Sequence, residues 1–152
     1  MESDRDVVAK QIGREPRAFR RVAVRCPFGR PAVTEQTPFD GDGAPFPTSY
    51  WLTCRHLVAQ VSRLEAAGGV DRWTRAVHED ASLGESLRRA DELQRRLRPE
   101  LAVGIGGARA DAKGLKCLHA HVAFALAQPG YELGDKIVAE LEPLWPSNCC
   151  SE

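Results

Sequence analysis

Cysteine and histidine are the residues of this sequence best suited to chemistry, and two Cys-x-His pairs stand out. These are Cys54-Arg55-His56 and Cys117-Leu118-His119. A third cysteine, Cys26, precedes a Pro-Phe-Gly turn. Thiolate and imidazole are the usual ligands of zinc, which prefers four ligands in a tetrahedron. If the fold brings them together, the candidate zinc ligands are Cys26, Cys54, Cys117 and His119.

Two other interpretations of these residues stay open. The chain has no tight Cys-x-x-Cys motif, and the alternative interpretation is that Cys26 and Cys54 are small buried side chains at strand ends. Cys117 is also a candidate nucleophile assisted by His119. On a regular helix, side chains two residues apart point roughly 160° away from each other. The pair therefore converges only if Cys117 lies where a helix begins.

A glycine-rich segment near this pair predicts an anion-binding site. Gly104-Ile105-Gly106-Gly107 is followed by Arg109, Lys113 and Lys116, and backbone amides at a following helix N-terminus attract anions. The candidate anion-binding residues are Gly106, Gly107, Arg109 and Lys116. The segment matches neither the dinucleotide nor the Walker fingerprint, and a plain connector is the alternative. An enzyme using Cys117 and His119 beside this loop therefore remains one functional hypothesis, and a protein–protein interaction module remains another.

The whole-chain properties indicate one small cytoplasmic domain over residues 1–152, with a short flexible tail at about 146–152. Acidic and basic residues balance at 21 each, so no net charge attracts nucleic acid or an anionic membrane. No apolar run approaches the ~20 residues that span a bilayer, and the charged N-terminus lacks a signal-peptide core. We expect no nucleic-acid or membrane partner, and we expect cysteines that are thiols or metal ligands.

The hydrophobic pattern of the sequence predicts an α+β fold, and the elements of this fold must position the candidate site residues. Strand-forming stretches separated by Pro and Gly turns predict a small antiparallel meander of about three strands over residues 19–54. A mainly helical remainder follows, preceded by a short helix near 5–13. Apolar residues at helical spacing predict helices over 57–64, 70–77, 82–97, 115–127 and 134–142. Ser82 and Glu85 have the spacing of a capping box at the start of the third of these.

Five segments resemble a known family. They are CPFGRP at 26–31, FPTSYWLTC at 46–54, VSRLEA at 61–66, GIGG at 104–107 and KCLH at 116–119. Together they resemble an actinobacterial family known only as a domain of unknown function, number five hundred and one, so the resemblance implies no activity.

The resemblance bears on the metal hypothesis. The four candidate zinc ligands match positions that recur in the family pattern, and this match favours metal binding. The chain departs from that pattern at Phe28, where the family often has cysteine, and at Arg55, where it often has proline. His56 and His121 are the available replacement ligands.

Overall fold

The computed structural model describes residues 1–109 and 111–150, and it has the predicted α+β architecture. The end of the tail predicted at 146–152 lies outside the described residues. A three-stranded antiparallel sheet, ordered β1-β2-β3, forms near the N-terminus. Its strands are β1 (Phe19–Arg25), β2 (Pro31–Gln36) and β3 (Tyr50–Leu52). The predicted meander is therefore confirmed.

The turns of the sheet place two of the candidate cysteines. Cys26 follows β1, and its carbonyl accepts from the amide of Gly29, which adopts a positive φ of 82° that suits glycine. Cys54 follows β3, and its amide donates to the carbonyl of Ala32 at 3.3 Å. Both cysteines are buried, as expected for residues that end strands against a core.

Six α-helices lie in the described residues. They are α1 (Asp4–Ile12), α2 (Arg55–Ala66), α3 (Gly69–Glu79), α4 (Ala81–Leu97), α5 (Leu118–Ala127) and α6 (Glu132–Val138). Helices α1 and α5 contact the sheet. A 3₁₀ turn spans Ile105–Gly107. Helix α5 begins three residues later than the pattern predicts, because the amide of Leu115 donates to the Thr74 hydroxyl instead of entering a helix. None of the described helices combines the length and apolarity needed to cross a bilayer.

The start of α4 differs from the predicted capping box. Asp80 is the N-cap, and its carboxylate accepts from the amides of Ser82 and Leu83 at 2.9 and 3.3 Å. The Ser82 hydroxyl donates instead to Glu132 at 2.8 Å. A carboxylate at the N-cap also benefits from the helix dipole, so Asp80 is favoured over the serine two residues later.

Helix α5 lies at the centre of the core. Seven of its ten residues are buried, and it packs against the sheet, α2 and α6. Leu118 and Val122 are fully buried, as are Leu57 and Val61 on the facing side of α2. A helix buried nearly all round has its position fixed by its neighbours. The first turn of α5 therefore sits in a defined place beside the last turn of α2.

Candidate functional site

Cys117 is the N-cap residue of α5, with an extended backbone at φ −155° and ψ 161°. This placement meets the condition for Cys117 and His119 to converge, because only His119 lies within the helix. A third residue joins them. Ligand atoms of Glu65, Cys117 and His119 all lie within 4.8 Å of one another, and we call these residues the Cys-His-Glu cluster.

Glu65 comes from the last turn of α2 and organises the start of α5. Its Oε2 accepts from the Leu118 amide at 2.7 Å and lies 3.3 Å from His119 Nδ1. Cys117 makes no side-chain capping bond, so this carboxylate satisfies a backbone donor that the N-cap leaves open. The side chains of Glu65 and His119 are 26% and 29% exposed, which leaves them reachable by small solutes.

Ser62 completes the surroundings of His119. Its Oγ lies 3.3 Å from His119 Nε2, so both ring nitrogens of the histidine have a polar neighbour. Ser62 and Glu65 are three residues apart on α2, and this spacing places them on one helix face. The face of α2 that meets α5 thus holds the imidazole at both ends.

The cluster opens onto a large cavity with a volume of about 480 Å³. Cys117 and His119 line it together with Tyr50–Leu52 of β3 and Val58 of α2, and most of its wall is apolar. The guanidinium of Arg14 stacks over Trp51 at 5.0 Å from the ring centre. A cavity of this size and polarity is typical of a small-molecule site.

Cys26 and Cys54 lie outside the cluster. In residues 1–109 and 111–150, the only group of three or more potential ligand side chains within 4.8 Å is the Cys-His-Glu cluster. Cys26 is buried after β1, and the Cys54 sulfur lies 3.6 Å from that of Cys150. A metal role for Cys26 and Cys54 therefore remains a prediction from sequence.

The two histidines that the resemblance offered as replacement ligands have other partners. His56 Nε2 lies 2.8 Å from the carbonyl of Pro143, and His121 Nδ1 lies 2.8 Å from the Tyr131 hydroxyl. Complete burial lowers the pKa of His121 to about 4, which keeps its imidazole neutral near pH 7. Burial also raises the pKa of Tyr131, so this buried pair is neutral.

Three of the four predicted anion-binding residues line two different cavities. Gly106 lines the large cavity, and Arg109 and Lys116 line a smaller one of about 140 Å³. Gly107 lies against Pro47, where an added Cβ would come within 3.1 Å of that ring. The expected anion position at the start of α5 is filled by the carboxylate of Glu65. Anion binding by this segment therefore stays a prediction.

A sequence model of the family described as "Protein of unknown function (DUF501)" matches residues 22–103 of the chain. The chain belongs to this family. The DUF501 match covers just over half of the sequence and confirms the family resemblance. It contains Ser62 and Glu65, whereas Cys117 and His119 follow it. No curated protein and no solved structure matches the chain, and the function of the family is unknown.

Glu65 and Ser62 are absent from the candidates that the sequence suggests. Both belong to the VSRLEA segment at 61–66, which was one of the segments that resemble the DUF501 family. Their spacing on one face of α2 was also visible. The missing information was that this face meets the start of α5, and that contact joins residues more than 50 positions apart.

Proposed function

We propose that the protein binds a divalent metal ion, zinc by its ligand chemistry, through Cys117, His119 and Glu65. The observation that supports this most strongly is the convergence of three ligand atoms within 4.8 Å. Two nitrogen or oxygen ligands about 2.0 Å from a tetrahedral ion lie roughly 3.3 Å apart. The distance from His119 Nδ1 to Glu65 Oε2 is 3.3 Å.

Charge also favours a cation at this position. Metal ligands bind in their deprotonated forms, so Cys117 and Glu65 would contribute two negative charges and His119 none. In a half-buried site those two charges repel each other unless a cation lies between them. A divalent ion would neutralise both.

The groups around the cluster are those that orient metal ligands in proteins. With Nδ1 on the ion, His119 would donate its Nε2 hydrogen to the Ser62 hydroxyl, which lies 3.3 Å away. The Leu118 amide, which already donates to Glu65 Oε2, would fix the carboxylate. These contacts would hold the imidazole and the carboxylate in position for an ion.

Three protein ligands leave the fourth position of a tetrahedral ion open, and here that position would face the cavity beside Cys117. A zinc ion with an open position acts as a Lewis acid, whereas structural zinc usually has four protein ligands. The proposal therefore assigns the cavity to a small molecule that reaches the ion. It also places the protein in the cytoplasm, where cysteine stays reduced and available as a ligand.

Metal analysis of untagged protein tests the proposal. After zinc loading and dialysis we expect about one equivalent in the wild type and less than about 0.2 in Cys117→Ala and Glu65→Gln. The matched control Cys26→Ala changes a cysteine outside the cluster and should keep the ion.

Two results would overturn this ligand set. One is a wild-type protein that retains less than about 0.2 equivalents of metal. The other is loss of the ion from a folded Cys26→Ala protein, which would favour the four-residue set that the sequence suggests.

A second candidate function uses Cys117 as a nucleophile with His119 as its base. The observation that favours it is Glu65, which supplies the orienting group that the sequence did not reveal. In metal-free protein, this hypothesis expects Cys117 to alkylate faster than Cys26 and Cys54, and the rate should fall at least about 10-fold in His119→Asn. An equal or slower rate, or a rate unchanged by His119→Asn, would exclude it.

A further inference from the structure

A second pair of thiols lies apart from the Cys-His-Glu cluster. The Sγ atoms of Cys54 and Cys150 are 3.6 Å apart, although the residues are 96 positions apart in the chain. A disulfide requires the sulfurs to approach to about 2.0 Å, so closing this pair needs a shift of roughly 1.5 Å. No group of three potential ligands in the described ranges includes either residue, so the pair is better suited to oxidation than to metal binding.

Contacts near the pair hold the C-terminal segment against α2. The carbonyl of Pro143 accepts from Gln60 Nε2 at 3.0 Å and lies 2.8 Å from His56 Nε2. Leu144, Trp145 and Cys150 pack against the hydrophobic core. Pro143 and Cys150 therefore both lie against the first half of α2, and the thiols meet because the C-terminal segment is docked there.

We propose that Cys54 and Cys150 form a reversible disulfide under peroxide, covalently fastening the C-terminal segment to α2. The inference does not depend on the proposed metal function. Its two sulfurs belong to different elements from Cys117 and His119.

The difference in exposure between the two thiols indicates which one reacts first with the oxidant. Cys54 is 3% exposed, and burial raises its pKa to about 11, so it stays protonated near pH 7. Cys150 is half-buried and is the thiol that an oxidant reaches. The Cys150 thiolate attacks one oxygen of hydrogen peroxide, which gives a sulfenic acid and hydroxide, and the hydroxide is protonated to water.

The second step closes the bond. The Cys54 sulfur attacks the Cys150 sulfur, the S–S bond forms, and the sulfenic oxygen leaves as hydroxide and takes the thiol proton to become water. Both sulfurs are oxidised, and one peroxide is reduced to two molecules of water. A dithiol reductant reverses the modification by exchange.

Mass spectrometry of the full chain after hydrogen peroxide treatment tests this assignment. We expect the loss of two titratable thiols, a mass decrease of about 2 Da and recovery with dithiothreitol. Chymotryptic mapping should link the peptide that contains Cys54 to the peptide that contains Cys150. Digestion with this protease also separates Cys54 from Cys26, because it cuts in the aromatic stretch between them.

Variants of Cys149 and Cys150 identify which of them forms the cross-link with Cys54. Cys150→Ser should lose the cross-link, and the matched control Cys149→Ser should keep it. Unfolding the wild type in urea should slow cross-linking at least about 10-fold, because the folded chain holds the thiols together. No cross-link in the wild type, an undiminished cross-link in Cys150→Ser, or an equal rate in urea would overturn the proposal. The metal content of Cys150→Ser should equal that of the wild type, so the two proposals fail separately.

Discussion

The two Cys-x-His pairs have the same sequence pattern and the same helical position, but their surroundings differ. Cys54 is the N-cap of α2 and Cys117 is the N-cap of α5, and neither side chain makes a capping bond. Cys54 is buried against another thiol, and its His56 turns to the carbonyl of Pro143. Cys117 is half-buried beside a carboxylate that also contacts His119.

The difference shows that the pattern fixes where a thiol sits on its helix, whereas the neighbouring element decides its chemistry. The start of α5 meets a carboxylate from α2, which gives three groups of metal-ligand type. The start of α2 meets the C-terminal segment, which gives two thiols suited to oxidation. The N-termini of α2 and α5, which share the Cys-x-His pattern, therefore differ in the chemistry that we propose for them.

The largest expected effect concerns His121, two residues beyond His119 on the same helix. Its pKa is about 4 when folded and 6.5 in the unfolded reference, so its stabilising effect is present above pH 6.5 and is lost as pH falls toward 4. We expect the wild type to lose roughly 3 kcal/mol more of its unfolding free energy between pH 7 and 4 than His121→Asn. Urea denaturation at both pH values measures this.

The matched control is His119→Asn, which changes a half-buried histidine of α5. It retains His121 and should therefore keep the acid-dependent loss that His121 causes. Equal acid sensitivity in wild type and His121→Asn would show that the buried imidazole does not bind a proton on acid unfolding, and the contrast between the two histidines would then disappear.

Glu65 is the carboxylate that distinguishes the N-terminus of α5 from that of α2, and Glu65→Ala removes this difference. We expect zinc affinity to fall by about 100-fold or more, because a ligand and its hydrogen bond to Leu118 are lost together. Competition with a chromophoric chelator measures the affinity. The Cys54–Cys150 cross-link should form as in the wild type, and its loss would mean that the two regions are coupled.

The burial of the two cysteines predicts different costs for removing them. In metal-free, reduced protein, Cys54→Ala should lower the unfolding free energy by about 1.5 kcal/mol, because it leaves a cavity in the core. Cys117→Ala should lower it by less than about 0.5 kcal/mol, since its site is partly open. Thermal or urea unfolding compares them, and a larger cost at Cys117 would contradict the assigned environments.

The smallest expected effect is the change in zinc affinity on substitution of Ser62. Ser62→Ala removes the hydroxyl beside His119 Nε2 and should weaken zinc binding by about 10-fold, with folding unchanged. The control Ser82→Ala removes a hydroxyl that donates to Glu132 and should leave zinc affinity unchanged. An unchanged affinity in Ser62→Ala would mean that His119 needs no second partner.

Much of the fold could be predicted because its signals are local. Strand-forming residues between Pro and Gly turns gave the three strands, and apolar spacing gave the helices to within a few residues. The start of α5 was placed too early, since Leu115 finds its partner in Thr74, more than 40 positions away. The site was predictable only in part. Cys117 and His119 were visible, but Glu65 was not, because contact between α2 and α5 is a long-range event.

The sequence by itself determined the family, the α+β class and the rule that Cys117 and His119 converge only where a helix begins. The family was visible in five segments that resemble it, whereas the fold class and the convergence rule follow from residue types, spacing and helix geometry, which act over a few positions. Only the tertiary structure decided that Glu65 joins them, that Cys26 and Cys54 lie elsewhere, and that Cys54 faces Cys150. The physical reason is packing. The burial of α5 against α2 fixes which side chains meet, and no local pattern in the chain encodes that meeting.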